Sequence, residues 1–101
     1  PIRDFIYSKD VARGMLHMVE HNVTEPVNLG SGREVTIREI SEIIGDYFSK
    51  DIIWDSEKPM GDKKRLMSVE RAKSYGFKPQ VSLENGLIRT MKWYEEYANE
   101  L

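Results

Sequence analysis

Residues 26–40 constrain the fold of this 101-residue chain more than any other stretch. The apolar run Val27–Leu29 leads into the turn Gly30-Ser31-Gly32, and the capping box Thr36-x-x-Glu39 follows and begins a helix. A strand, a glycine turn and a helix are the parts of a phosphate-binding loop. The stretch therefore predicts an α/β chain and raises the question of whether this turn binds a nucleotide.

The spacing around the turn does not fit the known nucleotide fingerprints. The dinucleotide fingerprint G-x-G-x-x-G/A needs a third small residue, and Val35 occupies that position. The P-loop needs Gly-Lys followed by Ser or Thr, which the turn lacks. A tight turn in which glycine permits a positive φ explains the glycines without any ligand. We therefore expect no cofactor-binding residue in this turn.

Short strand-like and helical segments alternate along the chain. Strands are predicted at residues 5–7, 27–29 and 52–54, where β-branched, aliphatic and aromatic residues cluster. Each predicted helix follows a hydroxyl residue that can cap it, and these caps are Ser8, Thr36, Ser68 and Ser82. Three short strands and about four helices indicate a mixed α/β fold whose sheet is weak when left alone.

Composition excludes several classes of function. The net charge is −2 with both signs interspersed, so the chain offers no field for nucleic acid or an anionic membrane. No apolar run approaches the roughly 20 residues of a membrane span. Without cysteine or a signal peptide, the chain is expected to be cytoplasmic. His17 and His21 have a spacing that can hold zinc, but no third ligand is evident, so we expect no metal site.

Two groups of cations are candidates for binding an anion. Lys58 and Arg65 belong to a polar loop that also contains Pro59 and Gly61, which indicate a defined turn. The loop is either a solvated surface or a clamp for a phosphate or diphosphate. Arg3 precedes a buried-looking strand and therefore needs an anion or a carboxylate partner.

Several motifs together resemble the extended short-chain dehydrogenases/reductases, the NAD-dependent epimerase/dehydratase family. The resemblance covers nearly the whole chain, in order and at the expected spacing. It is carried by the segments Arg3-Asp4-Phe5-Ile6-Tyr7-x-x-Asp10-Val11-Ala12, Pro26–Gly32 with Val35–Ile40, Lys58-Pro59-x-Gly61, Arg65-Leu66-x-x-Val69, Ala72-Lys73-x-x-Gly76-Phe77-x-Pro79 and Ser82–Tyr94.

The resemblance implies a C-terminal, substrate-binding fragment of such an enzyme. Family members bind NAD or NADP on an N-terminal Rossmann domain, hold a nucleotide-diphospho-sugar on the C-terminal part and form homodimers. Residues 1–30 would then complete the edge of the Rossmann domain, and residues 31–101 would form the substrate domain. The resemblance implies that Arg3, Lys58 and, as a weaker candidate, Arg65 reach the substrate pyrophosphate.

The resemblance also implies that the chemistry lies elsewhere in the parent. The family's catalytic Tyr-x-x-x-Lys is absent, because none of the five tyrosines has Lys four residues later. We therefore expect no catalytic residue in this chain. The alternative is a non-catalytic domain of the same fold that senses a ligand or binds a protein.

The subgroup is indicated by the loop at residues 58–62. Many UDP-sugar 4-epimerases and 4,6-dehydratases have Arg-Pro-Gly-Asp where this chain has Lys58-Pro59-Met60-Gly61-Asp62. The Lys-Pro-x-Gly form is more similar to the GDP-L-fucose synthase subgroup. Asp62 and Ser68 depart from that subgroup, in which Thr and Asp are more usual.

Overall fold

The computed structural model describes residues 1–55 and 61–100. This part contains α1 (Ser8–Glu20), α2 (Ile37–Phe48), α3 (Glu70–Ser74) and α4 (Leu83–Tyr97), which runs into a short 3₁₀ turn, Ala98–Glu100. Three two-residue strands, β1 (Ile2–Arg3), β2 (Val35–Thr36) and β3 (Lys64–Arg65), form one sheet. The prediction of short strands with four helices is confirmed.

The sheet is mixed and has the order β2-β1-β3. β1 pairs with β2 in antiparallel orientation, so that Arg3 lies opposite Val35. β1 pairs with β3 in parallel orientation, so that Ile2 lies opposite Lys64. A main-chain hydrogen bond of 2.7 Å from Ile2 to the carbonyl of Lys63 extends this second ladder. The N-terminal strand is therefore the centre of the sheet, held by segments from distant parts of the sequence.

The three predicted strand positions are wrong. Residues 5–7, 27–29 and 52–54 are not paired as strands. Instead, the carbonyl of Pro26 accepts a hydrogen bond from Arg71, and the side chain of Leu29 packs against Gly14 of α1. Extended residues become strands only when a neighbouring backbone completes their ladder, and residues 27–29 have no such neighbour among the described residues.

Two of the four predicted caps are confirmed. Thr36 and Glu39 form a reciprocal capping box at the start of α2, and the hydroxyl of Ser82 accepts from the amide of Asn85 at the start of α4. Ser8 is instead the first residue of α1, with Tyr7 at the cap position and no side-chain cap. Ser68 lies one residue before the cap position of α3, although its hydroxyl accepts a long hydrogen bond from Glu70.

A small core joins the sheet to the helices. α2 packs against α4, and the Tyr47 hydroxyl donates a hydrogen bond to Glu95 across this contact. The hydrophobic residues that are buried in the described part are Val35, Ile40, Ala72, Phe77 and Met91. These residues come from β2, α2, α3, the turn after α3, and α4, so the core depends on the three later helices and on β2.

Helix α1 leaves an apolar face uncovered. Met15, Leu16 and Val19 are 60%, 63% and 75% exposed, whereas Asp10 and Gly14 on the opposite side are buried. The radius of gyration is 16.0 Å, compared with about 13 Å for a compact domain of this length. Within the described residues, none of the helices has the length and apolarity required to cross a bilayer.

Candidate functional site

Two of the three cations predicted to bind an anion lie side by side. Arg3 in β1 is paired in register with Arg65 in β3. Residues at the same register position of adjacent strands project from the same face of a sheet. The parallel ladder therefore gathers two guanidinium groups that are far apart in the sequence. Lys58, the third predicted cation, lies outside the described residues.

Arg3 is half-buried, and among the described residues it donates only to main-chain oxygens. Its Nη1 atom lies 2.9 Å from the carbonyl oxygen of Ile2 and 2.9 Å from that of Asp62. The expected carboxylate partner is not found, since Arg3 forms no ion pair within residues 1–55 and 61–100. Two carbonyls hold the guanidinium in place without neutralising its charge, so Arg3 can still bind an anion.

Arg65 forms an ion pair with an exposed carboxylate, that of Asp62. Its Nη2 atom lies 2.5 Å from a carboxylate oxygen of Asp62, and the two side chains are 71% and 64% exposed. Exposed ion pairs of this kind contribute about 0–1 kcal/mol, so an arriving anion can displace the carboxylate. Asp62 therefore contacts both arginines, one through its carbonyl and the other through its side chain.

The glycine turn at residues 30–32 already holds an anion from its own chain. One carboxylate oxygen of Asp4 accepts from both the amide and the hydroxyl of Ser31 at 2.8 Å, and the other accepts from the amide of Gly32 at 3.1 Å. Successive amides that converge on one point form an anion-binding nest. Since Asp4 fills that nest, the amides of Ser31 and Gly32 already have an acceptor from within the chain.

Asp10 links helix α1 to the segment before α4. The carboxylate is 1% exposed and accepts hydrogen bonds from the amides of Gln80 and Val81 and from Arg13. Burial by itself would raise the pKa of Asp10, but the hydrogen bonds from Arg13 and from the two amides outweigh it and hold the pKa below its ordinary value of 3.8. Asp10 thus lies in the first turn of α1 and at the same time bridges two segments of the chain.

Two cavities flank the sheet. One, of about 310 Å³, lies between residues 5–8 and the start of α4 and is walled mainly by apolar side chains. The other, of about 200 Å³, lies where the chain leaves β1 and β3, and Asp4, Leu66 and Ser68 line it. Arg33 lines both cavities. The second cavity is therefore directly beyond the two paired arginines.

The histidine pair has a structural contact instead of a metal. His17 Nε2 lies 2.6 Å from the carbonyl oxygen of Tyr75, and its ring stacks on that of His21 with centroids 4.0 Å apart. Within the described part of the chain, no group of three or more His, Cys, Asp or Glu side chains could hold a metal ion. His17 thus packs α1 against the end of α3.

Sequence reasoning missed the roles of Asp4 and Asp10. Both carboxylates are bound by main-chain amides from segments that follow much later in the chain. The signal for Asp4 was available, because a glycine turn with converging amides needs an anion and a carboxylate precedes the first predicted strand. No comparable pattern marks Gln80 and Val81.

Comparison with curated proteins identifies relatives of known activity. The chain is 39% identical to probable GDP-L-fucose synthase 1 of Oryza sativa subsp. japonica over 95% of the chain and 30% of that protein. It is 38% identical to the GDP-L-fucose synthase of Sinorhizobium fredii, over 100% of the chain and 32% of that protein. No protein-family model matches the chain.

Solved structures give the same assignment. An epimerase of Methanothermobacter thermautotrophicus is 29% identical with a TM-score of 0.81, over 95% of the chain and 30% of that structure. A Bordetella bronchiseptica enzyme solved in complex with NADH is 28% identical with a TM-score of 0.78, over 98% of the chain and 31% of that structure. The chain spans about 30% of the length of these relatives. Over nearly its whole length the chain is therefore similar to about 30% of the length of GDP-L-fucose synthases and of an epimerase of known structure.

Proposed function

We propose that this chain is the nucleotide-sugar-binding portion of an NAD(P)-dependent epimerase or reductase similar to GDP-L-fucose synthase. Arg3, Arg65 and Lys58 would bind the pyrophosphate of the substrate. The observation that carries this proposal is the register of β1 and β3, which places two arginines next to each other on one face. Arginine recognises phosphate oxygens through paired, charge-assisted hydrogen bonds, and a diphosphate offers oxygens to more than one guanidinium.

The hydride and proton chemistry would belong to the rest of the parent enzyme. A relative of similar structure was solved with NADH, which supports a nicotinamide cofactor in the parent. The filled glycine turn supports a cofactor site outside this chain. When bound there, the cofactor would supply the hydride, and the residues of this chain would hold the diphosphate and thereby orient the sugar.

Apolar and unpaired surfaces that the chain leaves exposed suggest a division into two parts. We propose that residues 1–30 complete the edge of an N-terminal Rossmann domain and that residues 31–101 form the substrate domain. The exposed apolar face of α1 and the unpaired residues 27–29 both lie in the first part, where the Rossmann domain would cover them. The parent would be a cytoplasmic homodimer, as the family resemblance implies.

Binding of GDP by the natural protein tests the proposal. By isothermal titration calorimetry, Arg3→Ala and Arg65→Ala should each weaken GDP binding by about 10- to 100-fold, as expected for the loss of a hydrogen bond to a charged group. Arg38→Ala is the matched control, because Arg38 belongs to α2 and its guanidinium lies over the ring of Trp54, away from Arg3 and Arg65 in the sequence. Unchanged affinity in both variants would favour the alternative, a non-catalytic domain for another ligand or a protein.

The base of the nucleotide is tested by competition between GDP and UDP. The similarity to GDP-L-fucose synthases favours GDP over UDP, so GDP should bind more tightly than UDP and displace it. A preference for UDP would move the assignment to the UDP-sugar 4-epimerases. Neither result depends on the roles of the two arginines, because both nucleotides carry the same diphosphate.

A further inference from the structure

We infer that Asp4 is a positioning residue that acts through Arg3, and that the glycine turn is its anchor. The inference rests on the proposed role of Arg3 in binding the diphosphate. Asp4 itself would not contact the ligand, because Ser31 and Gly32 donate to both of its carboxylate oxygens.

The turn is built around this carboxylate. A Cβ atom added at Gly30 would lie 2.8 Å from an Asp4 oxygen, which is closer than van der Waals contact allows. Gly32 has a φ of +76°, a conformation that side-chain-bearing residues rarely adopt. The hydroxyl of Ser31 accepts from the amide of Arg33 while donating to Asp4. The two glycines and the serine therefore fit a carboxylate that arrives from the end of β1.

The anchor lies directly beside the residue that it would position. Asp4 follows Arg3, and β1 contains only two residues. Two short ladders and two carbonyl contacts hold Arg3, and none of these fixes the chain beyond Arg3. The three hydrogen bonds to Asp4 supply that restraint at the carboxyl end of the strand. They therefore set the direction in which β1 presents the Arg3 guanidinium next to Arg65.

A double-mutant cycle distinguishes positioning from general stability. In the natural protein, Asp4→Asn keeps the shape of the side chain but puts an amide group where the nest needs an acceptor. We expect it to raise the Kd for GDP roughly 3- to 10-fold, with a matching rise in substrate KM and a change in kcat of less than about twofold. In an Arg3→Ala background, the same substitution should change the Kd by less than about 1.5-fold.

Two further variants keep the test decisive. Ser31→Ala removes the hydroxyl that donates to Asp4 and accepts from Arg33 but keeps both amide donors, and it should shift the Kd in the same direction by a smaller factor, even if Asp4→Asn folds poorly. Asp46→Asn, on the exposed side of α2, is the control for loss of one negative charge. An equal effect of Asp4→Asn with and without Arg3, or no effect in either background, would overturn the inference. If Arg3→Ala alone leaves GDP binding unchanged, the proposed function fails instead.

Discussion

The carboxylate of Asp10, in the first turn of α1, accepts a 3.0 Å hydrogen bond from the amide of Val81, just before α4. The same carboxylate binds the amide of Gln80 and pairs with Arg13, which also donates to the carbonyl of Lys78 and lies over the ring of Phe77. One buried charge thus fixes the approach of the C-terminal helix to the N-terminal helix. This contact sets the walls of the larger cavity.

Removal of the Asp10 carboxylate should strongly destabilise the chain. Asp10→Ala leaves two part-buried amides and one guanidinium without their acceptor, and we expect the free energy of unfolding to fall by about 3 kcal/mol. Urea unfolding followed by circular dichroism measures the loss. Asp46→Ala, an exposed aspartate of α2, should change the same quantity by less than about 0.5 kcal/mol. A loss below 1 kcal/mol for Asp10→Ala would contradict the bridging role.

Asp10 should also make the free energy of unfolding depend on pH. Its pKa is lower in the folded chain than in the unfolded chain, so its contribution is complete above about pH 4 and is lost as the pH falls through the folded value. We expect the free energy of unfolding of the wild type to decline below pH 4. Asp10→Asn, measured over the same range, should decline less steeply. Parallel pH profiles would show that other carboxylates are responsible.

Asp62 should compete with the diphosphate for Arg65. Asp62→Asn removes the carboxylate that contacts Arg65 but keeps the carbonyl that accepts from Arg3. Because the ion pair is exposed, we expect GDP binding to tighten by only about two- to fivefold in titration calorimetry at low salt. Weaker binding would show that Asp62 orients Arg65 for the ligand instead of competing with it.

Gly30 should tolerate a side chain only when Asp4 is absent. Gly30→Ala places a methyl group 2.8 Å from an Asp4 oxygen, and we expect the free energy of unfolding to fall by about 1–3 kcal/mol. Asp4→Ala removes the nearest obstructing atom and leaves the flexible side chain of Met67 at 3.1 Å, so adding Gly30→Ala to it should cost less than adding it to the wild type. Additive losses in the double variant would place the cause in the backbone instead.

The helices were more predictable from the sequence than the strands. Thr36, Glu39 and Ser82 cap helices through contacts within three residues, so their pattern is complete in a short window. The strands depend on partners from other segments, and β1 takes both of its neighbours from later in the chain. Composition favoured residues 27–29, but Leu29 contacts a helix there.

The candidate site was predictable only in part. Arg3 and Arg65 were both identified by type and by family resemblance, but their adjacency depends on the parallel register, which no local pattern encodes. Asp4 was overlooked although the glycine turn carried a signal, because nothing in the order of residues pairs the amides of Ser31 and Gly32 with a carboxylate 27 positions earlier. Long-range contacts to the backbone were therefore the part of the site that sequence reasoning could not supply.

The run Lys63-Lys64-Arg65 determines which side chain lies opposite Arg3 if the pairing register of β3 shifts. If β3 slipped by one residue in one direction, Lys64 would take the place of Arg65 opposite Arg3. The position would then keep its positive charge and lose only the planar, forked geometry of a guanidinium. A one-residue slip in that direction would therefore still present a cation beside Arg3, whereas a slip in the other direction would bring Leu66 there. In the first case the charge of the pair is more robust than its geometry.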